Sequence, residues 1–243
     1  MDKQKQIIAM FDQIAPTYDS ANRVLSLGID ITWRKEACKR AFEYTRERDG
    51  LVIADIACGT GDMMIHWDKN AHILGKNINT IIGVDPSKGM LEVAKEKFKN
   101  YPDTQKIRWI TGEAKDLQAI ESKSIDILSI AYGLRNVIDI KEALGEFGRV
   151  LKQGGVLVVL EFTKKEKESF LDKITSIYTK KILPFIGGFI SKNYQAYQYL
   201  PDSIGDFLSL SGLKEALELS GFDVRFAKDY SMGISTLLIG VKR

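Results

Sequence analysis

Apolar and polar positions along the chain follow two alternating rhythms. Segments rich in apolar and β-branched residues fall at 51–56, 79–84, 106–111, 125–130 and 155–162 and are predicted to be strands, the apolar run 51–56 a buried parallel one. Between them, residues 61–74, 87–99 and 139–151 repeat apolar side chains at helical spacing. Alternation of this kind predicts βαβ units and a mainly parallel sheet, a Rossmann-like α/β architecture with helices on both faces. Upstream, residues 4–14 and 32–44 read as amphipathic helices, the second with Trp33, Ala37 and Ala41 on one face. A loop containing Pro, Tyr, Asp, Asn and Gly is expected between them. Downstream, helices around 203–219 lead to strands at 222–230 and 233–242, close enough to pair as an antiparallel hairpin at the sheet edge.

Residues 166–200 interrupt this alternation with aromatics and lysines. Phe170, Ile174, Ile177, Tyr178, Ile182, Leu183 and Phe185 recur at near-helical spacing opposite Lys164, Lys165, Lys167, Lys173, Lys180 and Lys181. The pattern suits a core-facing helix or a helix lying on a membrane surface.

A chain of 243 residues is long enough for one large α/β domain, and nothing in it reads as a linker. The division expected is an N-terminal helical lid (1–45), a cofactor-binding core (46–162), a substrate- and membrane-facing insertion (163–205) and a C-terminal helix and hairpin (206–243). The net charge of +3 is too mild and too dispersed to indicate nucleic-acid binding. Cys38 and Cys58 stand apart with only His66 and His72 as further soft ligands, so neither a metal site nor a disulfide is expected, and a reducing cytoplasm is the default. The polar N-terminus shows no signal or transit character, and the longest apolar stretch, Ile182 to Ile190, is broken by Pro184, Gly187 and Gly188. A soluble or peripheral protein is expected.

Chemistry concentrates at the first two strand ends. Asp55-Ile-Ala-Cys-Gly-Thr-Gly-Asp62 follows the first strand, and the second ends on Asp85. The turn lacks the third glycine of a dinucleotide fingerprint, which disfavours an oxidoreductase, and it lacks the Gly-Lys-Ser/Thr of a phosphate loop. Gly59 and Gly61 admit a ligand close to the backbone, and a carboxylate one βαβ unit later is placed for ribose hydroxyls. A nucleoside without phosphates fits best, and S-adenosylmethionine is the obvious one. Taken alone, Asp85 is equally a helix N-cap before Pro86-Ser87, and the turn a tight connection.

With Leu151-Lys-Gln-Gly-Gly155 ahead of the fifth strand, these motifs resemble class I S-adenosylmethionine-dependent methyltransferases. Phe11-Asp-Gln-Ile-Ala-Pro-Thr-Tyr-Asp19, Gly133-Leu-Arg-Asn-Val137, Leu160-Glu-Phe162 and Tyr197-Gln-Tyr-Leu-Pro-Asp-Ser203 narrow the resemblance to the UbiE/MenG quinone C-methyltransferases, over nearly the whole chain. The resemblance implies a seven-stranded sheet with a C-terminal antiparallel hairpin. It also implies methylation of a ring carbon of a polyprenylated hydroquinone, either demethylmenaquinol or the ubiquinone precursor. Cofactor contacts carry over to Thr60, Asp85, Glu113, Ala114 and Ala131; the last departs from the serine common in bacterial relatives. With the turn itself, the candidate cofactor residues are Asp55, Ala57, Gly59, Thr60, Gly61, Asp85, Glu113, Ala114 and Ala131. Gln153 replaces the proline usual in the Lys-Pro-Gly-Gly turn, which bears on turn rigidity. A peripheral position on the inner face of the cell membrane and a homodimer are the assemblies such an enzyme suggests. Another small aromatic or lipid acceptor is the alternative within the enzyme class, and a S-adenosylmethionine-binding regulator is the alternative outside it.

An aromatic carbon attacks a sulfonium methyl only when the ring is electron-rich, so the site needs a group that removes a phenolic proton or stabilises the phenolate. Arg135, just after the fourth strand, is the candidate stabiliser or water-orienting group, because arginine's pKa of above about 12 rules it out as a base. Tyr18, with Asp19 on the N-terminal segment, and Asn136 are further candidates to hydrogen-bond the same hydroxyl. The bland alternatives are a salt bridge from Arg135 to a neighbour such as Asp139, and a packed loop aromatic for Tyr18. Asp62 reads as a first-turn helix residue, and Glu161 as a substrate ligand or a cap.

Overall fold

The computed structural model describes residues 3–45, 48–166, 194–231 and 233–243. Its centre is a seven-stranded sheet in the order β3-β2-β1-β4-β5-β7-β6. The strands are β1 (Leu51–Ile56), β2 (Ile78–Asp85), β3 (Ile107–Thr111), β4 (Ile125–Ala131), β5 (Leu151–Glu161), β6 (Phe222–Tyr230) and β7 (Ser235–Lys242). The first five pair in parallel, and β7 runs antiparallel to both β5 and β6. The chain order reverses between β1 and β4, which opens a ligand crevice beyond their C-terminal ends.

β1 and β4 are apolar on both sides because both sides are covered. On one face Trp33, Ala37 and Ala41 of α3 (Ile29–Glu43) pack with Met64 and Trp67 of α4 (Asp62–Ile73) and Phe98 of α5 (Lys88–Phe98). On the other, Leu144 and Phe147 of α6 (Ile140–Val150) pack with Leu213 and Leu217 of α8 (Leu210–Leu219). One buried polar chain ties α4 to the sheet. Trp67 Nε1 donates to Ser129 Oγ at 2.9 Å, and Ser129 donates to Asp55 Oδ1 at 2.7 Å.

The N-terminal segment departs from expectation. Its loop is largely helical: after α1 (Lys3–Ile14) come a short 3₁₀ turn at Ala15–Thr17 and α2 (Tyr18–Ser26), and α3 starts at Ile29 rather than near residue 32. Pro16 sits at the start of the 3₁₀ turn, where its missing N–H costs nothing. The real break is Leu27-Gly28, both left-handed at φ 52° and 75°. Tertiary ion pairs hold α2: Lys97 bonds Asp19 at 2.5 Å and Asp62 at 2.9 Å, while Arg23 bridges Asp30 and Asp62. β5 also begins four residues before the predicted run, directly where α6 ends, with Leu151 paired to Ile125. Arg48 braces the following turn by donating to the carbonyls of Gln153 and Gly154.

α7 (Tyr194–Asp206) follows, and most of the lysine- and aromatic-rich stretch predicted to be an insertion lies outside the described residues. None of the described helices is long and apolar enough to cross a membrane, and no cluster of described His, Cys, Asp and Glu would hold a metal ion.

The turns after β1 and β4 meet at the crevice. A Cβ on Gly133 would lie 2.5 Å from the Ala57 Cβ, with no flexible side chain to yield. Gly133→Ala is therefore expected to cost about 1–3 kcal/mol, the usual penalty of forced overpacking. Urea unfolding monitored by tryptophan fluorescence measures it.

Candidate active site

Two adjoining cavities open at the C-terminal ends of the parallel strands. The smaller, about 80 Å³, is walled by Ile7, Ile8 and Phe11 of α1 and by Tyr18, Ala57, Gly59, Asp85, Glu113, Ala114, Ala131, Tyr132 and Asn136. The larger, about 600 Å³, is mostly apolar, lined by Met10, Phe11, Ile14, Leu25, Trp33, Phe162, Leu200, Pro201 and Ile204. Its polar groups include Tyr18, Asp30, Arg34 and Arg135. Phe11, Tyr18 and Tyr132 belong to both walls.

Backbone geometry shapes the smaller cavity. Ala57 after β1 and Tyr132 after β4 both adopt positive φ, 51° and 60°, in adjacent strands. Such conformations cost on the order of 1–3 kcal/mol each, and here they turn both chains sharply at the crevice floor. Gly59, at φ 55°, has nothing within 4 Å of where a Cβ would point. Asp85, 6 % exposed, closes this end by accepting from Gly59 N–H and Ser87 N–H, each at 2.8 Å. Ser87, not Asp85, caps α5, by accepting from Met90 N–H at 3.1 Å. Burial pushes the Asp85 carboxyl up to about 6, and its two backbone hydrogen bonds oppose that shift.

Not every predicted cofactor residue reaches the cavity. Ala57, Gly59, Asp85, Glu113, Ala114 and Ala131 line it, whereas Asp55, Thr60 and Gly61 stand behind. Thr60 Oγ1 donates to Asp19 at 2.5 Å, so its hydroxyl ties the glycine turn to α2. Gly61 opens α4 at φ 83°, and a Cβ there would meet Phe98 at 2.8 Å. Asp55 is 1 % exposed; burial pushes its carboxyl up to about 7, and its Oδ2 has no hydrogen-bond partner.

Arg135 sits in the wall of the larger cavity. Its Nη1 donates to Glu161 Oε1 and to the Tyr132 carbonyl, both at 2.6 Å, and its guanidinium lies 5.3 Å over the Phe162 ring. Nε reaches Ser203 Oγ of α7 at 3.3 Å. The salt bridge is therefore with Glu161 rather than Asp139, which instead caps α6 by accepting from Glu142 N–H at 2.9 Å. Glu161, 0 % exposed, also accepts the backbone N–H groups of Arg135 and Phe162, so its oxygens are consumed in aiming the arginine. Tyr18 is partly buried, and the loss of hydration around its hydroxyl raises it above the ordinary tyrosine range, against the nearby charge of Arg135 and a hydrogen bond with Asn22. Asn136 Oδ1 is buried without a partner in the wall of the smaller cavity.

The ubiE/COQ5 methyltransferase family model matches residues 1–242. The chain belongs to that family. It is 52% identical over 242 residues to the Campylobacter jejuni ubiquinone/menaquinone biosynthesis C-methyltransferase UbiE, covering 100% of both chains. It is 37% identical to the Thermus thermophilus demethylmenaquinone methyltransferase over 231 residues, 95% of this chain and 99% of that one. Solved structures share the fold. A S-adenosylmethionine-dependent methyltransferase from Thermotoga maritima superposes with TM-score 0.60 at 21% identity, covering 98% of this chain and 100% of that one. The complex of a Haloferax volcanii methyltransferase activator with a putative methyltransferase gives TM-score 0.64 at 18% identity, covering 95% and 96%.

S-adenosylmethionine is the cofactor of this family member, and the smaller cavity has the features it needs. Its wall holds the buried Asp85 carboxylate, the Cβ-free backbone of Gly59 and the unpartnered Asn136 oxygen, groups that a nucleoside can use. Sequence reasoning missed Glu161 as the positioning partner of Arg135 and missed Arg34 entirely. Glu161 was visible only as a strand-end acid.

Proposed function

We propose that the chain methylates a ring carbon of a polyprenylated hydroquinone in menaquinone or ubiquinone biosynthesis. The observation that carries the proposal is the apolar cavity of about 600 Å³ with Arg135 and Tyr18 in its polar wall, sharing Tyr18 and Tyr132 with the cofactor cavity. The relatives' names point to the same chemistry.

Bound S-adenosylmethionine supplies an electrophilic methyl group. The protein's residues prepare the nucleophile. Arg135, held by Glu161, the Tyr132 carbonyl and Ser203, faces the ring hydroxyl, lowers the cost of its deprotonation by stabilising the phenolate, and orients the water that takes the proton. The negative charge delocalises onto the adjacent ring carbon, where methylation would release the thioether and loss of that carbon's own proton to water would restore the aromatic hydroquinone. Tyr18 stays neutral at physiological pH and hydrogen-bonds the same oxygen, since its hydroxyl titrates above the ordinary range. Asn136 orients the cofactor or the ring from the neighbouring wall. Phe11, Trp33 and Phe162 exclude water, which strengthens these contacts and keeps the methyl from hydrolysis.

The N-terminal helices serve as the lid of this site, since α1 and α2 wall both cavities. Leu27, 89% exposed, stands at the α2–α3 turn with Val24 and Ile29, beside the larger cavity, and supports a peripheral contact through which the prenyl tail reaches the inner membrane face. Incubation with methyl-labelled S-adenosylmethionine and either reduced demethylmenaquinone or the benzoquinol precursor, in detergent, tests the proposal. Label is expected in the organic phase. Label in the naphthoquinol alone marks a menaquinone enzyme, and label in both marks one serving both quinones. No transfer to either, with cofactor bound, overturns the reading.

A further inference from the structure

One charged group in the larger cavity has no part in preparing the ring. Arg34, in the second turn of α3, is 7 % exposed. Its Nη1 donates to Asp30 at 2.6 Å, but its Nε is buried and finds no acceptor among the described residues. Asp30 does not depend on it, because Arg23 and the Ser26 hydroxyl also engage that carboxylate. The Arg34 guanidinium lies 5.1 Å from the centroid of the Tyr132 ring, the partition between the two cavities. Its field reaches Asp55 and Asp62 at the glycine turn, and with burial it holds His66 down at about 4.

The other cations nearby are committed. Arg23 is shared by Asp30 and Asp62, Lys97 by Asp19 and Asp62, and Arg135 by Glu161. Lys115 lines the smaller cavity rather than the larger one. The third substituent on the cofactor's sulfur is a zwitterionic amino acid, and two of its three substituents are already directed. The adenosine points to Asp85 and the methyl to the ring at Arg135. What remains leads past Tyr132 into the larger cavity, where Arg34 Nε is a buried donor without a partner among the described residues.

We propose that Arg34 reads the carboxylate of the cofactor's amino-acid end. This gives the enzyme a means of telling S-adenosylmethionine from adenosine thioethers that lack the amino acid. A charge-assisted hydrogen bond of this kind corresponds to about 10- to 100-fold in affinity.

Isothermal titration with S-adenosylhomocysteine and with 5′-methylthioadenosine, which keeps the adenosine and sulfur but ends in a methyl group, separates the carboxylate's share. Arg34→Met is expected to weaken S-adenosylhomocysteine at least about tenfold and to leave methylthioadenosine within about twofold. Equal loss for both ligands, or no loss for S-adenosylhomocysteine, overturns the proposal, since a purely structural arginine has no reason to distinguish them. The wild-type protein gives an independent test that no folding defect can obscure. Its affinity for the α-carboxamide of S-adenosylhomocysteine is expected to be about tenfold below that for the acid, and equal affinities overturn the proposal. Wild-type protein that binds neither adenosine ligand would remove the cofactor assignment itself, a different failure.

Discussion

Arg135→Met is expected to abolish methyl transfer and to destabilise the fold by about 3–5 kcal/mol, the cost of leaving a buried carboxylate without its cation. Glu161 is 0 % exposed and Arg135 Nη1 lies 2.6 Å from it, so no water replaces the lost charge. The double variant Arg135→Met with Glu161→Met separates the two effects. Removing both charges restores much of the stability, because a buried ion pair and an apolar pair are often nearly equivalent. Activity stays at least about 100-fold down, the scale of losing a preorganised stabiliser of developing negative charge. Urea unfolding and label transfer, measured on both variants, read the two quantities. Recovery of turnover in the double variant would reduce Arg135 to a structural role.

Asp85→Ala is expected to weaken S-adenosylhomocysteine roughly 100-fold or more, since the carboxylate that organises the Gly59 turn is also the one proposed to accept from the ribose hydroxyls. The same residue predicts a pH dependence. A carboxyl raised to about 6 is ionised above that pH and protonated below it, and only the ionised form accepts from every donor around it. Cofactor affinity is therefore full above pH 6 and falls as pH drops through it. Asp12, which accepts from Ser87 Oγ at 2.6 Å and Gly89 N–H at 2.8 Å, contributes to raising Asp85. Asp12→Asn should lower the midpoint, and Asp85→Asn should remove the step near 6. Titration calorimetry from pH 5 to 8 shows both, and a profile flat through 6 in the wild type would exclude Asp85 as the titrating group.

The sheet was legible because β1 and β4 are buried on both sides and so read as largely apolar runs, broken only by Asp55 in β1 and by Asp126 and Ser129 in β4. The glycine turn and Asp85 were legible because close backbone approach and a strand-end carboxylate leave a mark in the order of residues. α2 was not. Its nine residues, Tyr18–Ser26, contain only one buried side chain, Ala21, and its hold comes from Asp19 and Arg23 reaching residues 39 to 78 positions away. No local period records that. Arg135 raised the same difficulty. Asp139 lies four residues on and looked like the natural partner, whereas Glu161 is 26 residues away and becomes adjacent only because β4 and β5 pair in parallel. Sequence distance misled at every point where long-range charge pairing decided the structure.

The partition made by Tyr18 and Tyr132 bears on how such an enzyme changes over generations. Any replacement that enlarges the partition to admit a different ring also disturbs the pocket that grips the methyl donor, so such changes are selected against unless cofactor use survives. Trp33, Leu200 and Ile204 border only the larger space. Diversification of the acceptor is thus channelled onto α3 and α7, leaving the two tyrosines as a shared inheritance of donor and acceptor alike.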